Sequence, residues 1–132
     1  MLKLGEKQTL IIKEKKEFGV YLGEEKEAEK VLLPAKQVPQ GLSIGDKVQV
    51  FLYRDSQDRI IATTNEPLIY KGKAARLTVK EVGRIGAFLD WGLEKDLLLP
   101  YKEQTYEIKK GDNVLVALYI DKSSRLCATM KV

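Results

Sequence analysis

The sequence predicts an all-β protein of two tandem five-stranded barrels, one over residues 1–66 and one over residues 67–132. Three observations lead there: the chain repeats itself, each repeat holds five short strand patterns, and no segment carries a long helical period. With a shift of 67, Gly5 falls on Gly72, Leu10 on Leu77, Lys13 on Lys80, Glu14 on Glu81, Gly19 on Gly86 and Leu22 on Leu89. A one-residue deletion then sets the shift to 66. Leu32, Leu33 and Pro34 meet Leu98, Leu99 and Pro100, and Gly45-Asp46 meets Gly111-Asp112. Val48, Val50, Leu52, Tyr53 and Asp55 meet Val114, Val116, Leu118, Tyr119 and Asp121, and Arg59 meets Arg125.

The first strand of each copy is a short apolar or β-branched run, Thr9–Lys13 and Leu77–Val79. The second, Phe18–Leu22 and Ile85–Trp91, is interrupted by a glycine, which marks a bulge or a close backbone approach. The third is an apolar run closed by proline, Val31–Pro34 and Leu97–Pro100. The fourth alternates, with Val48, Val50 and Leu52 facing one way and Gln49, Phe51 and Tyr53 the other. A turn over Asp55–Asp58 or Asp121–Ser124 leads to the fifth, Arg59–Thr64 or Arg125–Met130. Closure into a barrel removes the exposed edges that so small a sheet could not protect. Gly23–Lys30, rich in Glu and Lys, has no apolar face and reads as a solvated loop. Asn65-Glu66-Pro67 and Leu68–Lys71 form a short link of restricted motion.

Composition narrows the function. The chain is 44% hydrophobic and 32% charged, enough to bury a core. No apolar run approaches the ~18 residues of a membrane span, and the N-terminus lacks the apolar stretch of a signal peptide. A cytosolic location with no membrane partner is expected. The single cysteine, Cys127, excludes an intrachain disulfide framework and a multi-cysteine zinc site. The absence of histidine excludes Ser-His and Cys-His nucleophiles and histidine metal motifs. No phosphate-cradling glycine loop is present. The expectation is a binding module, not an enzyme, without metal or cofactor.

Charge is unevenly placed. Residues 1–66 carry 11 Lys+Arg against 11 Asp+Glu, whereas residues 67–132 carry 12 against 8. Lys71, Lys73, Arg76, Lys80 and Arg84 lead into the second copy's aromatic segment; in the first copy the lysines are surrounded by glutamates. A basic excess attracts polyphosphate partners, so the second copy is expected to bind with the steeper salt dependence.

The residues then become recognisable. Gly5…Phe18-Gly19-Val20-Tyr21…Gly45-Asp46…Asp55…Arg59, and Gly72…Ile85-Gly86-Ala87-Phe88…Gly111-Asp112…Asp121…Arg125, resemble the S1 RNA-binding domain, an OB-fold barrel. Gly86–Gln104 (GAFLDWGLEKDLLLPYKEQ) and Val50–Pro67 are similar to the bacterial conserved virulence factor B family. The resemblance implies single-stranded RNA binding and a role in regulating gene expression. It implies Phe18, Tyr21, Asp55 and Arg59 as contact residues in the first copy and Phe88, Asp121 and Arg125 in the second, with Lys80 and Arg84 as the basic approach. It also implies that the parent chain continues into a further S1 domain and a winged helix. Two departures stand out: Ile85 occupies the first aromatic position of the second copy, and leucines, Leu33 and Leu99, stand where the family usually has a histidine.

The residues alone leave alternatives open. Phe18 and Tyr21 either pack on the barrel wall or display their rings, and the tyrosine hydroxyl favours a half-exposed place. Asp55 and Arg59 either brace their turn or contact a ligand. Trp91 is read as core or rim, Tyr53 and Tyr119 as packed under loops, and Cys127 as a small hydrophobe. The competing function is a protein-interaction or spacer module that has lost nucleic-acid binding. Single-stranded DNA is reachable by the same surface, because stacking alone does not read the 2′-OH.

Overall fold

The computed structural model describes every residue from Met1 to Val132. The chain divides into two compact units, Met1–Glu66 and Pro67–Val132. The first contains β1 (Lys7–Lys16), β2 (Gly19–Gly23), β3 (Val31–Pro34), β4 (Lys47–Arg54) and β5 (Ile60–Thr63). The second repeats them as β6 (Ala74–Val82), β7 (Gly86–Asp90), β8 (Leu97–Pro100), β9 (Asn113–Ile120) and β10 (Leu126–Thr129). A single 3-10 turn follows β3 (Ala35–Gln37) and β8 (Tyr101–Glu103), which the sequence pattern did not reveal.

In the first unit the strands close as β1-β2-β3-β5-β4, the seam made by the parallel pairing of Leu32 with Ile61. The second unit has the equivalent order, β10-β9-β6-β7-β8, but no ladder joins β8 to β10. The two strands still lie side by side, and the 3-10 turn ties the seam. Met130 N–H donates to the Glu103 carbonyl at 2.9 Å, and Thr129 Oγ1 donates to Glu103 Oε1 at 2.7 Å. Gln37 does the same work in the first unit, accepting from Thr63 Oγ1 and, at 2.9 Å, from Thr64 N–H.

The alternating fourth strand supplies each core. Val48, Val50 and Leu52 join Leu10, Ile12, Val20, Leu22, Val31, Leu33 and Ala62 in one buried cluster. Val114, Val116 and Leu118 are buried at the matching positions. Fully burying each Val, Leu or Ile is worth about 1.5–3 kcal/mol. Phe51 and Tyr53, on the opposite parity of β4, are buried as well, so this strand is covered on both faces. Ile69, in the link region, is also buried. Trp91, read as core or rim, is buried, and its indole N–H donates to the Lys95 carbonyl.

The glycine of each second strand is a close approach, not a bulge. A Cβ on Gly19 would lie 2.2 Å from the Leu33 carbonyl oxygen, and one on Gly86 would lie 2.4 Å from that of Leu99. The bulges sit on the neighbouring strand, where the register shifts between Ile12 and Glu14 and between Val79 and Glu81. This shift places Glu14 opposite Tyr21 and Glu81 opposite Phe88. Only the inserted residue shows it, so no sequence period marks it.

Candidate nucleic-acid interface

Phe18 lies in the turn before β2, and the Gly19 approach to β3 fixes where that turn ends. The residue is 56% exposed. Tyr21, two residues beyond Gly19, is half-buried on the outward face of β2. The rings meet edge to face, with centroids 6.1 Å apart and planes at 84°. The Lys30 ammonium stands 5.7 Å from the Tyr21 ring centroid, within cation–π range, and pairs with Glu14 at 3.0 Å. The hydrogen bond and charge of Lys30 hold the Glu14 carboxyl below its ordinary range, so the carboxylate that faces Tyr21 is neutralised by an adjacent cation. Lys30 was missed because it belongs to the segment read as a solvated loop. It precedes β3, whose Leu32 pairs with Tyr21, and that register is the signal which places it there.

The outward row continues from Tyr21 through Leu32 to Ile61, toward the β4–β5 turn that carries Asp55 and Arg59. Asp55 Oδ1 accepts from the backbone N–H groups of Gln57 and Arg59, at 2.9 and 3.0 Å. Its Oδ2 pairs with the Arg59 guanidinium at 3.0 Å. Burial raises the Asp55 carboxyl, but the hydrogen bonds from Arg59 and Gln57 outweigh that effect and keep it below the usual range. Asp121 repeats the turn, accepting from Ser123 and Arg125 N–H at 2.8 and 3.0 Å, with the Cys127 thiol 3.6 Å from Oδ2. Both aspartates therefore brace a turn whose last residue before the arginine, Asp58 or Ser124, is left-handed (φ 65° and 62°). The guanidinium of Arg59 remains largely exposed, at 69% of its side chain. Cys127 is buried, and that burial pushes its thiol up to about 11, which leaves it an unreactive small hydrophobe.

In the second unit Phe88 lies half-buried on the outward face of β7, and Ile85 is exposed where Phe18 stands in the first. Arg84 is exposed at the tip of the β6–β7 hairpin. Lys80, the bulge residue, is paired with Asp96 at 3.1 Å, and that carboxylate raises its hold on its proton. Lys80 keeps its charge, yet part of its field is spent on Asp96. Leu33 and Leu99 are fully buried inside their barrels, so neither stands on the surface where the family resemblance put a histidine. The outward neighbours of the aromatic strands on β3 and β8 are Leu32 and Pro34, Leu98 and Pro100.

No group of three or more Cys, Asp or Glu side chains converges as a metal site, and no helix is long and apolar enough to cross a membrane.

The S1 domain profile matches the chain twice, over residues 4–65 and 71–131. The chain is 31% identical over 130 residues to the protein YitL of Bacillus subtilis, covering 94% of this chain and 43% of that one. It is 31% identical over 93 residues to conserved virulence factor B of Staphylococcus haemolyticus, covering 67% of this chain and 31% of that one. The chain thus spans less than half the length of these relatives. Among solved structures it is similar to a multidomain protein with nucleic acid binding domains from Streptococcus pneumoniae, with a TM-score of 0.80 and 22% identity over 98% of this chain and 46% of that one. The strand order, the two glycine approaches and the doubled profile match agree, and the chain belongs to the S1 domain family, a nucleic-acid-binding fold, as two tandem copies.

Proposed function

We propose that the chain binds single-stranded RNA, with each barrel (residues 1–66 and 67–132) contributing a stacking platform, and that it serves in the cytosol as a regulator of gene expression. The observation that carries this reading is the exposed Phe18, braced edge-on by Tyr21, with Lys30, itself paired with Glu14, over the tyrosine ring and the largely exposed Arg59 on the same unit. A large ring left in water gains by covering its face, and an unpaired base is a flat partner whose phosphate finds a cation nearby. Each base–aromatic stack contributes roughly 1–3 kcal/mol, so two platforms support salt-sensitive binding without any metal. Phe18, Tyr21 and Arg59 contact the strand in the first barrel; Phe88, Arg84 and Arg125 do so in the second, with Lys80 steering from behind its Asp96 partner. Asp55 and Asp121 act by fixing the turns that present the arginines. As part of a longer chain, the pair would work beside further S1 and winged-helix domains.

A titration of labelled oligouridylate with the full chain and with Phe18→Ala/Phe88→Ala tests the reading. Salt-sensitive binding by the wild type, weakened by the double substitution, is expected. Absence of binding at low salt would favour the protein-interaction module. Competition between matched RNA and DNA strands decides which sugar is preferred, since stacking tolerates either.

A further inference from the structure

The second barrel lacks the ring that Phe18 supplies to the first, but it holds two others that the first lacks. Tyr101 and Tyr106 stand where the repeat places Ala35 and Gln40 in the first copy, and they are 49% and 60% exposed. The Tyr101 hydroxyl donates to the Gly83 carbonyl, which fixes the phenol against the β6–β7 hairpin. The Phe88 ring reaches the same glycine: a Cβ on Gly83 would lie 3.3 Å from Phe88 Cε2. Phe88 and Tyr101 thus both approach Gly83, Tyr101 through its carbonyl and Phe88 where a side chain would otherwise stand. From Tyr101 a groove of about 460 Å³ runs past Val82, Gln104 and Ile108 to Tyr106. That volume is within the range of about 300–1,000 Å³ that holds small ligands.

We propose that Tyr101 and Tyr106 form a second stacking subsite, which extends the Phe88 platform and takes an adjacent unpaired nucleotide of the same strand. The inference rests on the nucleic-acid reading above. Charge favours a polyanionic occupant over an acidic or neutral peptide. Arg84, Lys102, Lys109 and Lys110 are exposed in the segments that frame the groove, against Glu107 on its wall, Glu81 opposite Phe88, and Glu103, whose carboxylate is engaged by Thr129. The subsite also explains how the second copy dispenses with an aromatic at Ile85: the second ring comes from the turn after β8 instead of the turn before β7.

The test is binding of oligouridylates of increasing length to the full chain carrying Tyr101→Ala, Tyr101→Phe, Tyr106→Ala or Phe88→Ala. Tyr101→Ala is expected to weaken binding roughly five- to hundredfold for the longer strands, because it removes one stack. Tyr101→Phe keeps the ring and should stay within about threefold of wild type, the hydroxyl serving only to position it. Photo-crosslinking with iodouracil-substituted RNA should mark Tyr101 or Tyr106. If Tyr101→Ala binds as tightly as wild type while Phe88→Ala is weakened, the subsite is overturned and the wider reading stands. If the wild type binds no strand at low salt, both fall.

Discussion

The two barrels share strand order, bulge position and turn chemistry, yet they take their exposed rings from different elements. The first displays Phe18 from the turn before β2 and Tyr21 from β2 itself, with a lysine over the tyrosine. The second displays Phe88 from the corresponding strand and Tyr101 from the 3-10 turn after β8, tied together at Gly83. Charge divides the other way, because the first barrel is electrically balanced and the second is basic. A duplicated scaffold can thus keep its backbone constraints while its exposed rings shift from one element to another. What cannot migrate is the glycine that lets the second strand touch the third.

The largest test of that shared frame is Gly19→Ala or Gly86→Ala. Each places a Cβ against a carbonyl oxygen at a φ near +150°, where L side chains are strained. Each is expected to cost about 3 kcal/mol, measured by denaturant unfolding of the full chain. Equal losses in the two barrels would support one common constraint, and a harmless substitution in either would break it.

Next come the rings and the charge. Phe18→Ala/Tyr21→Ala leaves binding to the basic barrel, and Phe88→Ala/Tyr101→Ala leaves it to the neutral one. The first pair, one braced platform, is expected to lose roughly 1–3 kcal/mol of affinity for an unpaired strand, and the second, two stacking positions, roughly 2–6 kcal/mol. The first variant should retain the steeper salt dependence, by about 0.7 in the log–log slope for each extra phosphate contact. Equal slopes would mean that the uneven charge has no bearing on binding.

The braced turns give a smaller effect. Asp55→Ala and Asp121→Ala each remove an acceptor from two backbone N–H groups and should cost about 1–2 kcal/mol. Both carboxyls titrate below their ordinary value in the folded chain. Their contribution is therefore complete above the ordinary aspartate pKa of about 3.9 and is lost as pH falls through the lower folded value. Unfolding curves of wild type and Asp55→Asn should differ most near neutrality and converge in acid; a gap that widens in acid would contradict the brace.

The smallest effect separates Tyr53 from its repeat partner. The Tyr119 hydroxyl is buried without a hydrogen-bond partner, and burial raises it to about 12. Tyr119→Phe removes that unsatisfied group and should stabilise the chain by about 1 kcal/mol. A loss of stability would reveal a partner for the hydroxyl.

Much of this fold was legible because the repeat and the alternating fourth strand are written in residue types. Val48, Val50 and Leu52 point inward as their period requires. Gly19 and Gly86 announce a backbone event, though only coordinates distinguish the close approach from a bulge. The bulges themselves were hidden, since Lys13 and Lys80 look like any exposed strand residue. The buried outer face of β4 was half seen: Tyr53 was expected under cover, but Phe51 was not. At the candidate site, the repeat and the family pattern singled out Phe18, Tyr21 and Phe88, and the structure leaves the first exposed and the other two half-buried on outward faces. Lys30 and Tyr101 were not singled out, because Lys30 lies in a segment with no apolar face and Tyr101 has an alanine as its repeat partner; their places follow from register and from a hydrogen bond to Gly83. Leu33 and Leu99, at the positions matched to the family's histidine, are buried, and with a period of two the outward places on β3 and β8 fall to Leu32 and Leu98.

The most direct measurement is a backbone amide NMR titration of the full chain with an oligouridylate at low salt. Two ring platforms require the largest shifts at Phe18–Tyr21 and Lys30 and, separately, at Gly83–Phe88 and Tyr101. Shifts confined to other faces of the barrels, or none at saturating strand, would contradict them.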